Sequence, residues 1–111
     1  VNKVPCILIL SLFILLYADQ EVRGSVVKDG DRYPPPVDSA TIVIKWGVWS
    51  DSTYSNKQGF YNIKSPATGV HNVQAYKWIN NEFWISEWQQ VRLKSDDWKW
   101  VSLCLKKKEE R

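Results

Sequence analysis

The chain has 111 residues, 44% of them apolar and 24% charged, with five Gly and five Pro. Those totals fit one folded domain and exclude disordered, collagen-like and low-complexity chains. Fifteen Lys and Arg against twelve Asp and Glu give a formal charge of +3, too little to argue for a nucleic-acid partner, and one His with two Cys cannot supply a zinc site by themselves or a disulfide framework. No metal and no cofactor are expected.

Residues 4–18 carry no charge, and Lys3 stands just before them. A basic start, an apolar run from Cys6 to Leu16 and the small Ala18 ahead of Asp19 match a helical secretory signal peptide over residues 1–18. An uncleaved membrane anchor is the alternative, although the run is shorter than the roughly 20 apolar residues a spanning helix needs. Both imply export, to a periplasmic, cell-surface or extracellular location, with membrane contact only through this segment if it stays attached. Cleavage would remove Cys6 and leave Cys104 as the only thiol in an oxidising compartment.

From Glu21 onward apolar positions alternate, which argues strands. Residues 22–28 form a first strand closed by a turn at Asp29-Gly30-Asp31. Pro34, Pro35 and Pro36 force an extended connection, because each fixes φ and lacks a ladder donor. In the next strand Ala40, Ile42, Ile44 and Trp46 share the core-facing side. Residues 51–58 are polar and turn-rich; residues 59–64 resume alternation with Tyr61 and Ile63 on one side. After a break at residues 65–69, His71, Val73 and Ala75 share a face of a strand expected to pair with the preceding one as a hairpin. Asn80-Asn81 suits a tight turn between residues 76–79 and 82–85, with a short helix over 82–90 as the competitor. Residues 91–93 and 100–105 close the domain, with Val101, Leu103 and Leu105 inward, and residues 106–111 are a charged, solvated tail.

The order of these signals resembles the carboxypeptidase regulatory-like domain, a member of the prealbumin (transthyretin)-like β-sandwiches. The similarity is carried by Gly24-Ser25-Val26, Asp29-Gly30, Pro36-Val37-Asp38-Ser39-Ala40-Thr41-Ile42, the run from Ser55 through Gly59-Phe60 to Ile63, and Pro66-Ala67-Thr68-Gly69-Val70-His71-Asn72-Val73. It spans residues 22–75; residues 77–90 depart from it by being longer and richer in Trp. The resemblance implies an all-β, two-layer antiparallel or mixed sandwich over residues 19–105, of about seven strands. Gly30, Gly59 and Gly69 are expected at its turns. It further implies a non-catalytic accessory module that contacts a protein partner or a cell-envelope component.

Seven Trp, at positions 46, 49, 78, 84, 88, 98 and 100, exceed what a small sandwich hides. Trp78, Trp84 and Trp88 are the candidate binding patch, a platform for an apolar partner surface or, as the alternative function, for a glycan. The competing reading places Trp46 in the core, Trp98 and Trp100 over the sandwich edge, and the rest against one another beneath residues 77–90. His71 with Ser65 or Ser39 could imitate a nucleophile and base, but no nucleophile elbow accompanies them and the alternation turns His71 inward, so no catalytic residue is assigned. Glu82 and Glu87 are spaced for opposite faces of a strand, and Lys106-Lys107-Lys108 is offset by Glu109-Glu110.

Overall fold

A computed structural model of the chain describes residues 20–108. The expected signal segment, residues 1–18, and the last three residues of the charged tail lie outside the described residues. The described part is all-β: β1 (Gln20–Lys28), β2 (Thr41–Trp46), β3 (Trp49–Tyr54), β4 (Phe60–Ser65), β5 (Gly69–Ile79), β6 (Glu82–Ile85), β7 (Gln89–Leu93) and β8 (Trp98–Lys107).

β1 is the middle of one sheet, antiparallel to β4 and parallel to β8. The facing sheet runs β3–β2–β5, all antiparallel, and β5 is long enough to pair with β7 along its first half and β6 along its second. The two sheets join where the end of β8 pairs with β6, Lys106 opposite Ile85 and Lys107 opposite Trp84. The hydrogen-bonded path therefore runs from β3 round to β4, which form its two ends.

Period-two patterning builds the core. Val22, Val26, Tyr61, Ile63, Val101, Leu103 and Leu105 from the first sheet meet Ile42, Ile44, Val73, Ala75 and Leu93 from the second, with Trp49, Trp84 and Val91 packed at the margin. Burial of such aliphatic side chains, each contributing about 1.5–3 kcal/mol, is the main source of stability. The three prolines serve the edge of β1 left free where β4 ends: Lys28 N–H donates to Pro35 C=O (3.0 Å) and Val37 N–H to Val26 C=O (3.0 Å). Pro34, Pro35 and Pro36 have no N–H, so the segment offers a further strand few ladder donors.

Gly30, Gly59 and Gly69 have φ of 122°, 81° and 112°. At Gly59 the requirement is twofold, since a Cβ there would also lie 2.8 Å from both Pro36 Cβ and the Val26 carbonyl oxygen.

Three local expectations are corrected. The sandwich has eight strands rather than about seven, because residues 49–54, mostly assigned to a polar loop, form β3. Its polarity reflects an edge position, where only Trp49 packs on the core. β4 and β5 do not pair as a hairpin; β4 joins β1 and β5 joins β2, so residues 66–68 cross between sheets. The hairpin expected across Asn80-Asn81 does form, with Tyr76 opposite Ile85, Ile79 opposite Glu82 and the two asparagines (φ 51° and 65°) making the tight turn, rather than its competitor, a helix over residues 82–90. Trp46, expected in the core, reaches past its end and stacks on the His71 ring at 6.4 Å while staying exposed.

Candidate binding surface

Residues paired across neighbouring strands share a face of the sheet, so the register decides which aromatic side chains can meet. On the outer face of the β3–β2–β5–β6 sheet, Tyr54, Thr41, Tyr76 and Ile85 form one cross-strand row, and Trp78 and Phe83 form the next. The Phe83 ring lies 5.9 Å from Tyr76 and 5.0 Å from Trp78. Tyr54 is 70% and Trp78 66% exposed.

The three predicted patch residues are not brought together on this face. Trp84 pairs with Lys77 on the inner side, packs against the core and is covered by the Lys28 ammonium 4.5 Å from its ring centre. Trp88 is exposed and has the Lys45 ammonium 5.2 Å from its ring. Lys45 belongs to the outer set of β2, and Trp88 has the parity of Gln90, which pairs with outward Asn72. A β-bulge separates the two tryptophans. Ile85 opposes Tyr76 but Gln89 opposes Val73, so Ser86, Glu87 and Trp88 face only Ala75 and Gln74. Ser86 secures the bulge: its hydroxyl accepts from Ala75 N–H (2.9 Å) and its carbonyl accepts from Gln74 Nε2 (3.0 Å).

The outer face of the β4–β1–β8 sheet carries a second aromatic cluster. Its rows are Lys64–Glu21–Trp98, Asn62–Arg23–Trp100 and Phe60–Ser25–Ser102. Trp98, Trp100 and Phe60 are 52%, 51% and 50% exposed. Trp100 donates its indole N–H to Ser102 Oγ (3.0 Å) and meets Phe60 edge-on at 6.1 Å, above the small Ser25. The Arg23 guanidinium lies 4.7 Å from the Trp98 ring centre and donates to Glu21 (Nε–Oε1 2.9 Å), while Asn62 Nδ2 donates to the same oxygen at 3.3 Å. The hydrogen bond from Arg23 holds the Glu21 carboxyl below the usual carboxylate range, against slight desolvation.

The signal for this second cluster was present in the alternation: Val101, Leu103 and Leu105 inward puts Trp98, Trp100 and Ser102 outward, and Tyr61 and Ile63 inward puts Phe60 outward. What alternation alone does not say is that β4 and β8 flank the same strand.

The one histidine is interior. His71 Nδ1 donates to Gly69 C=O (2.9 Å), leaving Nε2 to pair with the Ser65 hydroxyl at 2.7 Å, and both residues are 0% exposed. Ser65 also accepts from Ala67 N–H (3.2 Å), and Gln20, itself buried, donates to Ser65 C=O (3.3 Å) and accepts from Asp96 N–H (2.9 Å). The pair ties β4 to β5 across the sandwich, out of contact with solvent. Among the described residues, no group of three or more His, Cys, Asp or Glu is arranged to hold a metal ion.

No protein-family model matches the chain, and no curated protein does. Solved structures do. The minor pilin of Streptococcus agalactiae is 9% identical, with 86% of this chain and 47% of that one covered and a TM-score of 0.56. A DUF3823 family protein from Parabacteroides merdae is 14% identical over 80% of this chain and 46% of that one, TM-score 0.54. A candidate carbohydrate-binding protein from Bacteroides uniformis is 15% identical over 78% and 41%, TM-score 0.52. The chain thus spans under half the length of each of these structures. At such identities the likeness establishes a shared β-sandwich fold.

Proposed function

We propose that this chain is an exported, non-catalytic accessory module, akin to carboxypeptidase regulatory-like domains, that binds a protein partner or cell-envelope component through the outer face of the β3–β2–β5–β6 sheet. The observation that carries it is the aromatic group of Tyr54, Tyr76, Trp78 and Phe83, set in two neighbouring rows on β3, β5 and β6 with Tyr54 and Trp78 largely open to solvent. Adjacent exposed rings on a rigid sheet give large contact area at little cost in side-chain entropy.

Further support comes from three directions. The Ser65–His71 pair has nucleophile–base spacing but is sealed in the interior, where it serves packing. The sandwich fold is shared with the minor pilin. Residues 1–18 read as an export signal.

Co-sedimentation of the purified domain with cell-envelope fractions of its source tests this reading. The Tyr54→Ala/Trp78→Ala double variant should lose retention and a Lys57→Ala control should keep it; equal retention of the two would sink the proposal. The rival reading, glycan binding, is favoured by a separate observation on the opposite face.

A further inference from the structure

The cluster on the outer face of β4–β1–β8 differs in chemistry from the aromatic row. Its rings are interleaved with hydrogen-bonding groups: a carboxylate, a guanidinium and an amide stand in the two rows that carry Trp98 and Trp100. The rings are also fixed before any ligand arrives, Trp98 by Arg23 and Trp100 by Phe60 and Ser102. Little ordering entropy therefore remains to be lost on binding.

We infer that this face is a saccharide-binding site, taking an uncharged oligosaccharide laid along β8 with its sugar rings on Trp98 and Trp100 and its hydroxyls on Glu21, Arg23 and Asn62. The inference rests on the reading of the chain as a binding module but uses another face and another ligand class.

Charge selects the ligand. Around the rings the charged groups are Glu21, Arg23 and Lys64, with Glu21 and Arg23 joined to each other. The Glu21–Arg23 pair is neutral as a unit and Lys64 adds one exposed charge on the end strand, too little to hold a polyanion, whereas a neutral polyol meets one acceptor group, one donor group and an amide that is both. A purely apolar protein surface would have to strip water from all three without replacing their hydrogen bonds. A sugar has C–H faces for the indoles and hydroxyls for the polar groups, so it leaves none of them unpaired. Side chains at positions i and i+2 of a strand stand roughly 6.6 Å apart, so Trp98 and Trp100 can bear on neighbouring parts of an extended chain.

The test is titration of the domain with hexasaccharides of β-1,4-linked glucose, xylose and N-acetylglucosamine and of α-1,4-linked glucose, followed by tryptophan emission and amide chemical shifts. At least one should bind saturably with Kd at or below about 1 mM, with shifts confined to β1, β4 and β8. Trp98→Ala and Trp100→Ala should each weaken binding about tenfold or more. Trp100→Tyr should keep most of the affinity, which separates stacking from folding, and Glu21→Gln should weaken it severalfold with unchanged circular dichroism. Absence of saturable binding to all four probes, unchanged affinity in both alanine variants, or shifts centred on Tyr76 and Trp78 would each overturn the inference. Envelope retention lost in the Tyr54→Ala/Trp78→Ala variant would survive such a failure and leave the proposed function standing.

Discussion

The Tyr61 hydroxyl donates a 2.8 Å hydrogen bond to the Val101 carbonyl, and the phenol reaches it by passing over Gly24. A Cβ at position 24 would lie 1.8 Å from that carbonyl oxygen and 2.6 Å from the Tyr61 oxygen. β4, β1 and β8 are thereby locked in register by one side chain crossing the strand between its partners.

Two outcomes are expected from this contact. Gly24→Ala forces the phenol or the β8 backbone to move and should destabilise by about 1–3 kcal/mol, read from urea denaturation. Burial pushes the Tyr61 hydroxyl well above the ordinary tyrosine value of about 10. Because the folded state keeps a proton that the unfolded chain releases, its contribution is complete below about pH 10 and declines as pH rises above it. Thermal midpoints should fall more steeply between about pH 10 and about pH 12 in the wild type than in Tyr61→Phe.

Trp84 and Trp78 should respond oppositely to truncation. Trp84→Ala removes a ring that packs on the core beneath Lys28 and should cost about 2 kcal/mol or more, whereas the exposed Trp78→Ala should stay within about 0.5 kcal/mol. Chemical denaturation of the two variants checks this, and equal losses would contradict the assigned faces.

At the sealed pair, Ser65→Ala leaves His71 Nε2 buried without its partner and takes away the acceptor of Ala67 N–H. A loss of about 1–3 kcal/mol is expected, with the strand content unchanged by circular dichroism.

The β5–β6 turn offers a backbone test. Asn81, at φ 65°, sits where a β-branched residue is strained, so Asn81→Val should lower stability by about 1–2 kcal/mol while Asn81→Gly should leave it equal or slightly higher. Scanning calorimetry on the two variants decides it.

Within β2, β4, β5 and β8 the inward set was readable from alternation, Trp46 excepted: Ile42 and Ile44, Tyr61 and Ile63, His71, Val73 and Ala75, Val101, Leu103 and Leu105 are all buried. β3 was hidden because an edge strand has few apolar positions to announce it. The platform of Trp78, Trp84 and Trp88 fails first at the two-residue turn, which pairs Trp84 with Lys77 and so sets it on the face opposite Trp78, and again where the period of two is interrupted between Trp84 and Trp88. The bulge at Ser86 breaks that period through a hydroxyl-to-backbone bond with Ala75, a partner 11 positions away that local sequence does not reveal.

The sequence by itself determined the all-β class, most of the strands and the face that most buried side chains take, because these follow from alternation and turn chemistry acting over a few residues. The tertiary structure alone decided that β8 lies parallel beside β1, that β4 and β5 belong to different sheets, and that Phe60, Trp98 and Trp100 form one surface. Those outcomes depend on strand pairing between residues tens of positions apart, where hydrogen bonding by the backbone is the same for any sequence and only the packing of the whole sandwich selects the partner.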